Sequence, residues 1–72
     1  MTLQDLLDQI TLEGWHKIQC WENAEEPNIY YMGDDFPPKI VEKYGNRKIR
    51  YIFPCMASNY KAGITIELEE ED

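Results

Sequence analysis

The side chains best able to do chemistry in this sequence are one histidine, His16, two cysteines, Cys20 and Cys55, and fourteen carboxylates. A zinc site would need about four ligands held together, usually marked in a sequence by closely spaced pairs such as Cys-x-x-Cys. The sequence has no Cys-x-x-Cys, and His16 and Cys20 stand four residues apart in a predicted strand. We therefore expect no metal and no cofactor, with both thiols reduced and packed as small apolar side chains.

Nucleophilic catalysis would need an activated Ser, Cys or Thr beside a base. Ser58 falls in a predicted connection between strands, and His16 is the only neutral base that could activate it. Neither a nucleophile elbow nor a Gly-rich phosphate loop is present. With fourteen carboxylates, many pairs could act as a general acid and a general base. The number of carboxylates therefore identifies no particular catalytic site. We therefore expect no enzymatic activity and no catalytic residues.

A basic segment interrupts an otherwise acidic chain. Residues 39–50 carry five basic residues and one acidic residue, although the net charge of the chain is −7. Basic groups beside the rings of Tyr44 and Tyr51 suit phosphates and stacked bases. The acidic flanking segments would repel the same polyanion, because the Debye length is about 8 Å at physiological salt. Nucleic-acid binding is therefore the alternative function, and its candidate residues are Lys39, Lys43, Arg47, Lys48 and Arg50.

The acidic residues allow the opposite hypothesis, in which the protein imitates a nucleic acid. Duplex DNA presents one charge about every 1.7 Å along its axis, so a mimic needs carboxylates in rows. The sequence does not show whether the acidic residues share one face, and an acidic tail also serves simply to keep a chain in solution. The acidic candidates are Asp5, Asp8, Glu22, Glu25, Glu26, Asp34, Asp35 and the tail.

Two tryptophans indicate either a protein-binding surface or the rim of a small core. In the segment between them Ile18 alternates with Lys17 and Gln19, and this period of two puts Trp15 and Trp21 on the Lys/Gln face. Tryptophan is enriched among the interface residues that contribute most of the binding energy, but it also covers the edges of small cores. Both interpretations stay open. The candidate protein-binding residues are Trp15, Trp21, Tyr30, Glu22, Glu25 and Glu26.

Two helices are predicted from apolar periodicity and capping signals. Thr2, followed three residues later by Asp5, resembles a capping box, and apolar residues then recur with helical spacing over about residues 2–12. Pro37-Pro38 suits only the first turn of a helix, because neither residue donates a backbone N–H. The second helix is therefore predicted over about residues 37–44.

Alternating apolar and polar residues predict four strands, over about residues 15–21, 29–32, 47–53 and 64–68. In the third strand, Ile49, Tyr51 and Phe53 share the face opposite the basic residues, and Pro54 ends the strand. The elements predict an α+β fold in two layers, in the order αββαββ. An antiparallel four-stranded sheet would carry two short helices on one face. One domain would span residues 1–68, followed by an acidic tail, 69–72.

The sequence also predicts where the protein works. Its first ten residues lack the basic start and continuous apolar run of a signal peptide. Apolar runs fall far short of the roughly 20 residues that span a bilayer, and strong negative charge opposes binding to anionic membranes. We therefore expect a cytoplasmic protein without membrane contacts. Because two of four strands must be edges, a homodimer is a further possibility.

Three segments together resemble a known group of proteins: MTLQDLLDQI at 1–10, WHKIQCWE at 15–22 and GDDFPPKI at 33–40. The group comprises short acidic proteins of unassigned function from prophages and mobile elements of Gram-positive bacteria. The resemblance covers about residues 1–40 and carries over no catalytic or binding residue. It implies a cytoplasmic accessory protein, in a setting where inhibitors of host defence such as anti-CRISPR proteins occur. We therefore expect a protein-interaction or inhibitor module whose partner is another protein.

Overall fold

Two short helices pack on one face of a four-stranded sheet in the computed structural model of this chain. The structure describes residues 1–9, 14–21, 25–35, 37–56 and 62–70. The helices are α1, Leu3–Gln9, and α2, Pro38–Tyr44. The strands are β1, Trp15–Cys20; β2, Asn28–Gly33; β3, Ile49–Met56; and β4, Ala62–Leu68. Along the chain the order is α1, β1, β2, α2, β3, β4.

The sheet is mixed, so the predicted antiparallel sheet is wrong. Its strand order is β2-β1-β4-β3. The outer pairs β1–β2 and β3–β4 are antiparallel, but the central pair β1–β4 is parallel. Alternation within each segment predicts strands, but the way in which two hairpins join depends on contacts between distant parts of the chain. Here the two strands whose inward residues are most deeply buried, around Ile18 and Ile66, lie side by side in the centre.

The third strand continues past its predicted end. β3 runs through Pro54 to Met56, whereas Pro54 was expected to end it. A proline is tolerated in an edge strand because the N–H that it lacks would face away from the sheet. The predicted first helix, in turn, extended to about residue 12. α1 ends at Gln9, and residues 10–13 lie outside the described residues.

The core lies between the helices and the inner face of the two central strands. Its buried cluster comprises Leu3, Leu6, Ile18, Cys20, Ile66 and Leu68. Fully burying one such aliphatic side chain contributes about 1.5–3 kcal/mol, so α1 is stabilised mainly by this packing. α2 joins the core through Tyr44, whose ring stacks on Tyr30 of β2 with centroids 4.0 Å apart.

The first turn of α1 is bonded to the turn that follows α2. The N–H groups of a first helical turn have no partner within the helix. Leu3 N–H donates to the Arg47 carbonyl oxygen at 3.0 Å, and Gln4 N–H donates to the Gly45 carbonyl oxygen at 2.8 Å. Only glycine fits at this turn, because a Cβ on Gly45 would collide with the Val41 carbonyl oxygen. The two helices are thus held together through backbone groups.

The capping box predicted at the start of α1 is present. The Asp5 carboxylate accepts the Thr2 backbone N–H at 3.0 Å, and the Thr2 hydroxyl oxygen accepts the Asp5 N–H at 3.1 Å. The backbone N–H of Thr2, and then its hydroxyl, lower the pKa of Asp5. Because the pKa is lower in the folded state, this stabilisation is complete above the unfolded-state pKa and is lost as the pH falls through the folded-state value.

We therefore expect Asp5→Asn to lower the urea midpoint of unfolding at pH 7. The difference from wild type should shrink as the pH falls below about 4, the usual range for an Asp carboxyl, because the wild-type carboxyl then also becomes neutral. Asp34→Asn, which makes the same charge change in an exposed loop, is the matched control. A midpoint difference for Asp5→Asn that does not depend on pH would contradict this role of the carboxylate.

Candidate functional site

The sheet face opposite the helices forms a second surface, here called the open face. The strand register arranges its side chains in three rows: Ile29, Gln19, Glu67 and Tyr51; Met32, Lys17, Thr65 and Phe53; Trp15, Gly63 and Cys55. Because successive residues of a strand point to opposite faces, these side chains point away from Ile18 and Ile66. Among the described residues, both helices pack on the other side of the sheet.

The centre of the open face is polar and buried, and is here called the polar floor. It consists of Gln19, Thr65 and Glu67, whose side chains are 4%, 0% and 6% exposed. Gln19 Nε2 donates a hydrogen bond to Glu67 Oε1 at 3.2 Å. Within the described part of the chain, Gln19 Oε1 and Thr65 Oγ1 have no hydrogen-bond partner. Each such buried polar atom costs about 1–3 kcal/mol when it is left unpaired.

Large apolar side chains flank the polar floor on both sides, and are here called the margins. Ile29 and Met32 of β2 line one side, and Tyr51 and Phe53 of β3 line the other. All four are exposed. Large exposed apolar side chains gathered on one surface are typical of a surface that binds another molecule.

Trp15 closes one end of the open face. It is half-buried, and its ring packs against Gly63 of β4. A Cβ at Gly63 would lie 2.7 Å from the ring, so only glycine leaves room for the indole there. The second tryptophan among the predicted protein-binding residues, Trp21, directly follows β1 and is exposed. About 20 Å of extended chain separates the two tryptophans, so they lie at opposite ends of this surface.

The remaining predicted protein-binding residues are not gathered on the open face. Tyr30 lies on the helix side of the sheet, stacked on Tyr44. Glu25 and Glu26 are exposed just before β2. Glu22 lies outside the described residues.

The basic segment is divided by the fold. Lys39 and Lys43 are exposed on α2, and Lys48 and Arg50 are exposed on either side of the first residue of β3. The Arg50 guanidinium lies 5.2 Å from the centroid of the Tyr51 ring. Hydrogen bonding to Tyr51 is the main cause of the raised pKa of Arg50, and the charge of Glu67 adds to it.

Arg47, by contrast, is buried and takes part in the fold. Its guanidinium Nε donates to the Glu69 carbonyl oxygen at 3.1 Å, and its Nη2 donates to the same oxygen and to Cys20 Sγ, the latter at 3.4 Å. Burial acts to lower the pKa of Arg47, but its interactions with Tyr30 and Cys20 raise it overall. These contacts occupy the guanidinium within the protein.

The histidine and the two cysteines lie apart from one another. His16 is buried on the helix side, where its Nδ1 lies 3.1 Å from the Gly14 carbonyl oxygen and its ring lies beside Tyr31. Cys20 and Cys55 are both free thiols on opposite faces of the sheet. No group of three or more metal-ligating side chains occurs within the described ranges. Neither described helix has the length and apolar character needed to cross a membrane.

Comparison with protein-family models, with curated proteins and with solved structures finds no match for this chain. We therefore infer function from the geometry of the described residues.

Several residues of the open face were missed by reasoning from the sequence. The sequence pattern predicts that Gln19 and Glu67 face solvent, whereas the neighbouring strands bury both side chains. Tyr51 and Phe53 were expected to share a face with Ile49. A register shift between Ile49 and Tyr51 sends them to the open face instead. Such a bulge inverts the alternation after it, and no signal in this segment marked its position.

We expect Arg47→Ala to destabilise the protein by about 1.5–3 kcal/mol, because it removes charge-assisted hydrogen bonds to the Glu69 carbonyl oxygen and to the buried Cys20 sulfur. Lys48→Ala, one residue away and exposed, should change stability by less than about 0.5 kcal/mol. Urea unfolding followed by circular dichroism measures both. Equal stability of the two variants would show that the Arg47 contacts do not support the fold.

Proposed function

We propose that this protein is a non-catalytic binding module that captures another protein on its open face. The observation that carries the proposal is the combination of exposed apolar margins with a buried polar floor that contains unpaired oxygen atoms. A protein that covered the margins would remove apolar surface from water, at about 25 cal/mol per Å². Its polar groups could at the same time complete the hydrogen bonding of the floor.

The composition of the open face supports a protein partner. Tyr, Trp, Phe, Met and Arg are the residue types enriched in protein interfaces relative to other surfaces. The open face and its border present one of each: Tyr51, Trp15, Phe53, Met32 and Arg50. A surface of this kind binds chiefly through a few large side chains surrounded by contacts of little individual effect.

The charge of the protein favours a basic partner. At a net charge of −7, with a pI of about 4.5, long-range attraction steers cationic proteins toward the chain and repels polyanions. Four exposed carboxylates also share one end of the sheet with Trp21. β2 starts at the end of the sheet where β1 ends, because Cys20 pairs with Asn28. β4 also ends there, because it runs parallel to β1. These carboxylates are Glu25, Glu26, Glu69 and Glu70.

The inhibitor or accessory role that the resemblance of residues 1–40 implies would use the same surface. A small protein that blocks a larger one needs an interface but no catalytic group.

We expect a double variant, Tyr51→Ser with Phe53→Ser, to lose partner binding because it removes one margin of the open face. Ile52→Ser is the matched control, since Ile52 lies between them on the same strand, is exposed, and points to the other side of the sheet. Tagged wild type and both variants would be used for affinity capture from the cells that produce the protein, with quantitative mass spectrometry. Circular dichroism would verify that each variant folds.

The proposal requires that basic proteins captured by wild type also be captured by Ile52→Ser and be lost from the double variant. Equal recovery by all three folded proteins would show that the open face is not the interface.

The alternative is a nucleic-acid-binding accessory protein that uses the exposed cations of residues 39–50. The position of Arg50 beside the Tyr51 ring favours it, because a base can stack on such a ring while the guanidinium contacts a phosphate. This alternative predicts a gel shift with single-stranded DNA at low salt, weakened by Arg50→Ala and by added salt. Absence of any shift at low salt would exclude it.

A further inference from the structure

The polar floor contains two oxygen atoms that form no hydrogen bond with any described residue. Gln19 Oε1 and Thr65 Oγ1 are its unpaired atoms, and the Glu67 carboxylate lies between them in the register. The orientation of the Gln19 amide is fixed chemically: its nitrogen must face the Glu67 oxygen, so its own oxygen faces elsewhere. Gln19 Oε1 and the Glu67 carboxylate can only accept, whereas the Thr65 hydroxyl can accept or donate. An occupant that carries several donors therefore suits the floor, and a positive charge suits the carboxylate.

From this arrangement we infer that the open face binds an arginine side chain of the partner protein, with its guanidinium on the polar floor. The inference rests on the proposed function and names the chemistry that the partner presents. Among protein side chains, only arginine offers five N–H donors in one plane, which lets it serve a carboxylate and neighbouring oxygens together.

The dimensions of the floor suit a guanidinium. Gln19 and Glu67 stand on adjacent strands, about 4.8 Å apart, and Thr65 lies about 6.6 Å further along β4. The rings of Tyr51 and Phe53 border the same rows. Arginine is weakly hydrated and stacks on aromatic rings, so it loses less than lysine on entering a partly apolar site.

The charges that face the floor define where the guanidinium enters. Glu67 carries the negative charge in the row of Ile29, Gln19 and Tyr51, whereas Lys17 belongs to the next row. Because Lys17 stands opposite Thr65 in that row, its charge repels a cation at the Thr65 end of the floor and favours the Glu67 end. Arg50 is a further cation at the border of this region, and its charge and that of the Glu67 carboxylate attract each other.

The test uses capped peptides and nuclear magnetic resonance on the ¹⁵N-labelled full chain. The probe is acetyl-Leu-Arg-Leu-amide, compared with the same peptide carrying citrulline, which keeps the shape of arginine but has no charge. The arginine peptide should shift the Gln19 side-chain amide and the backbone amides of Thr65 and Glu67, and the citrulline peptide should bind about tenfold more weakly.

Two variants separate a direct role from a structural one. Thr65→Val keeps the shape of the side chain and removes an unpaired buried hydroxyl. It should raise the urea midpoint of the free protein and yet weaken binding of the arginine peptide. Arg50→Ala removes the neighbouring cation and should strengthen that binding, whereas binding of single-stranded DNA would be weakened by the same change. Ile52→Ser should leave peptide affinity unchanged.

The outcomes distinguish this inference from the proposed function. Loss of the captured protein in the Tyr51/Phe53 double variant, but unchanged capture by Thr65→Val and equal binding of both peptides, would overturn the arginine site and leave the interface standing. Capture that survives in the double variant overturns both. Self-association of the wild type through the open face, seen by light scattering and abolished in the double variant, would also overturn the arginine site.

Discussion

The parallel pairing of β1 with β4 is the constraint on which the rest of this structure depends. It sets Ile18 beside Ile66 under the helices, and by the same register it sets Gln19 beside Glu67 on the other face. One pairing therefore produces both the core and the polar floor. Parallel strands are usually covered on both faces, whereas here the described helices cover only one. The open face is thus the place where this fold departs from the common arrangement.

A second group of contacts closes the structure around that pair. Backbone groups of Gly45 and Arg47 accept the first N–H groups of α1, and the Arg47 side chain bonds to Cys20 and Glu69 at the ends of the central strands. A domain of this size buries only about 60% of its unfolded surface. Its small apolar core is therefore supplemented by a buried guanidinium that binds β1 and β4 together. The basic segment 39–50 thus contains one residue that supports the fold, Arg47, among basic residues that are exposed.

The sequence was sufficient for local structure and insufficient for pairing. The capping box of Thr2 and Asp5 could be predicted because both partners lie within one turn of chain. The parallel central pair could not, since it depends on the relative burial of strands that are far apart in the sequence. The extension of β3 through Pro54 follows from its place at the edge of the sheet, which is itself a result of pairing. The polar floor could not be predicted for the same reason. Thr65 and Glu67 are polar residues in an alternating strand, and only the pairing of that strand with its neighbours buries them.

The polar floor lowers the stability of the fold, which agrees with the binding role that we propose for it. A protein of this size has a total stability of roughly 0.05–0.15 kcal/mol per residue, so two unpaired buried oxygens, at about 1–3 kcal/mol each, are a large fraction of it. An apolar branched residue in place of Thr65 would pack on the same strand without that cost. Positions that lower stability without a structural benefit are characteristic of functional sites. Because Thr65 and Gln19 lie in adjacent rows on the one face that the described helices leave uncovered, a partner bound there could offset the cost of these two oxygens.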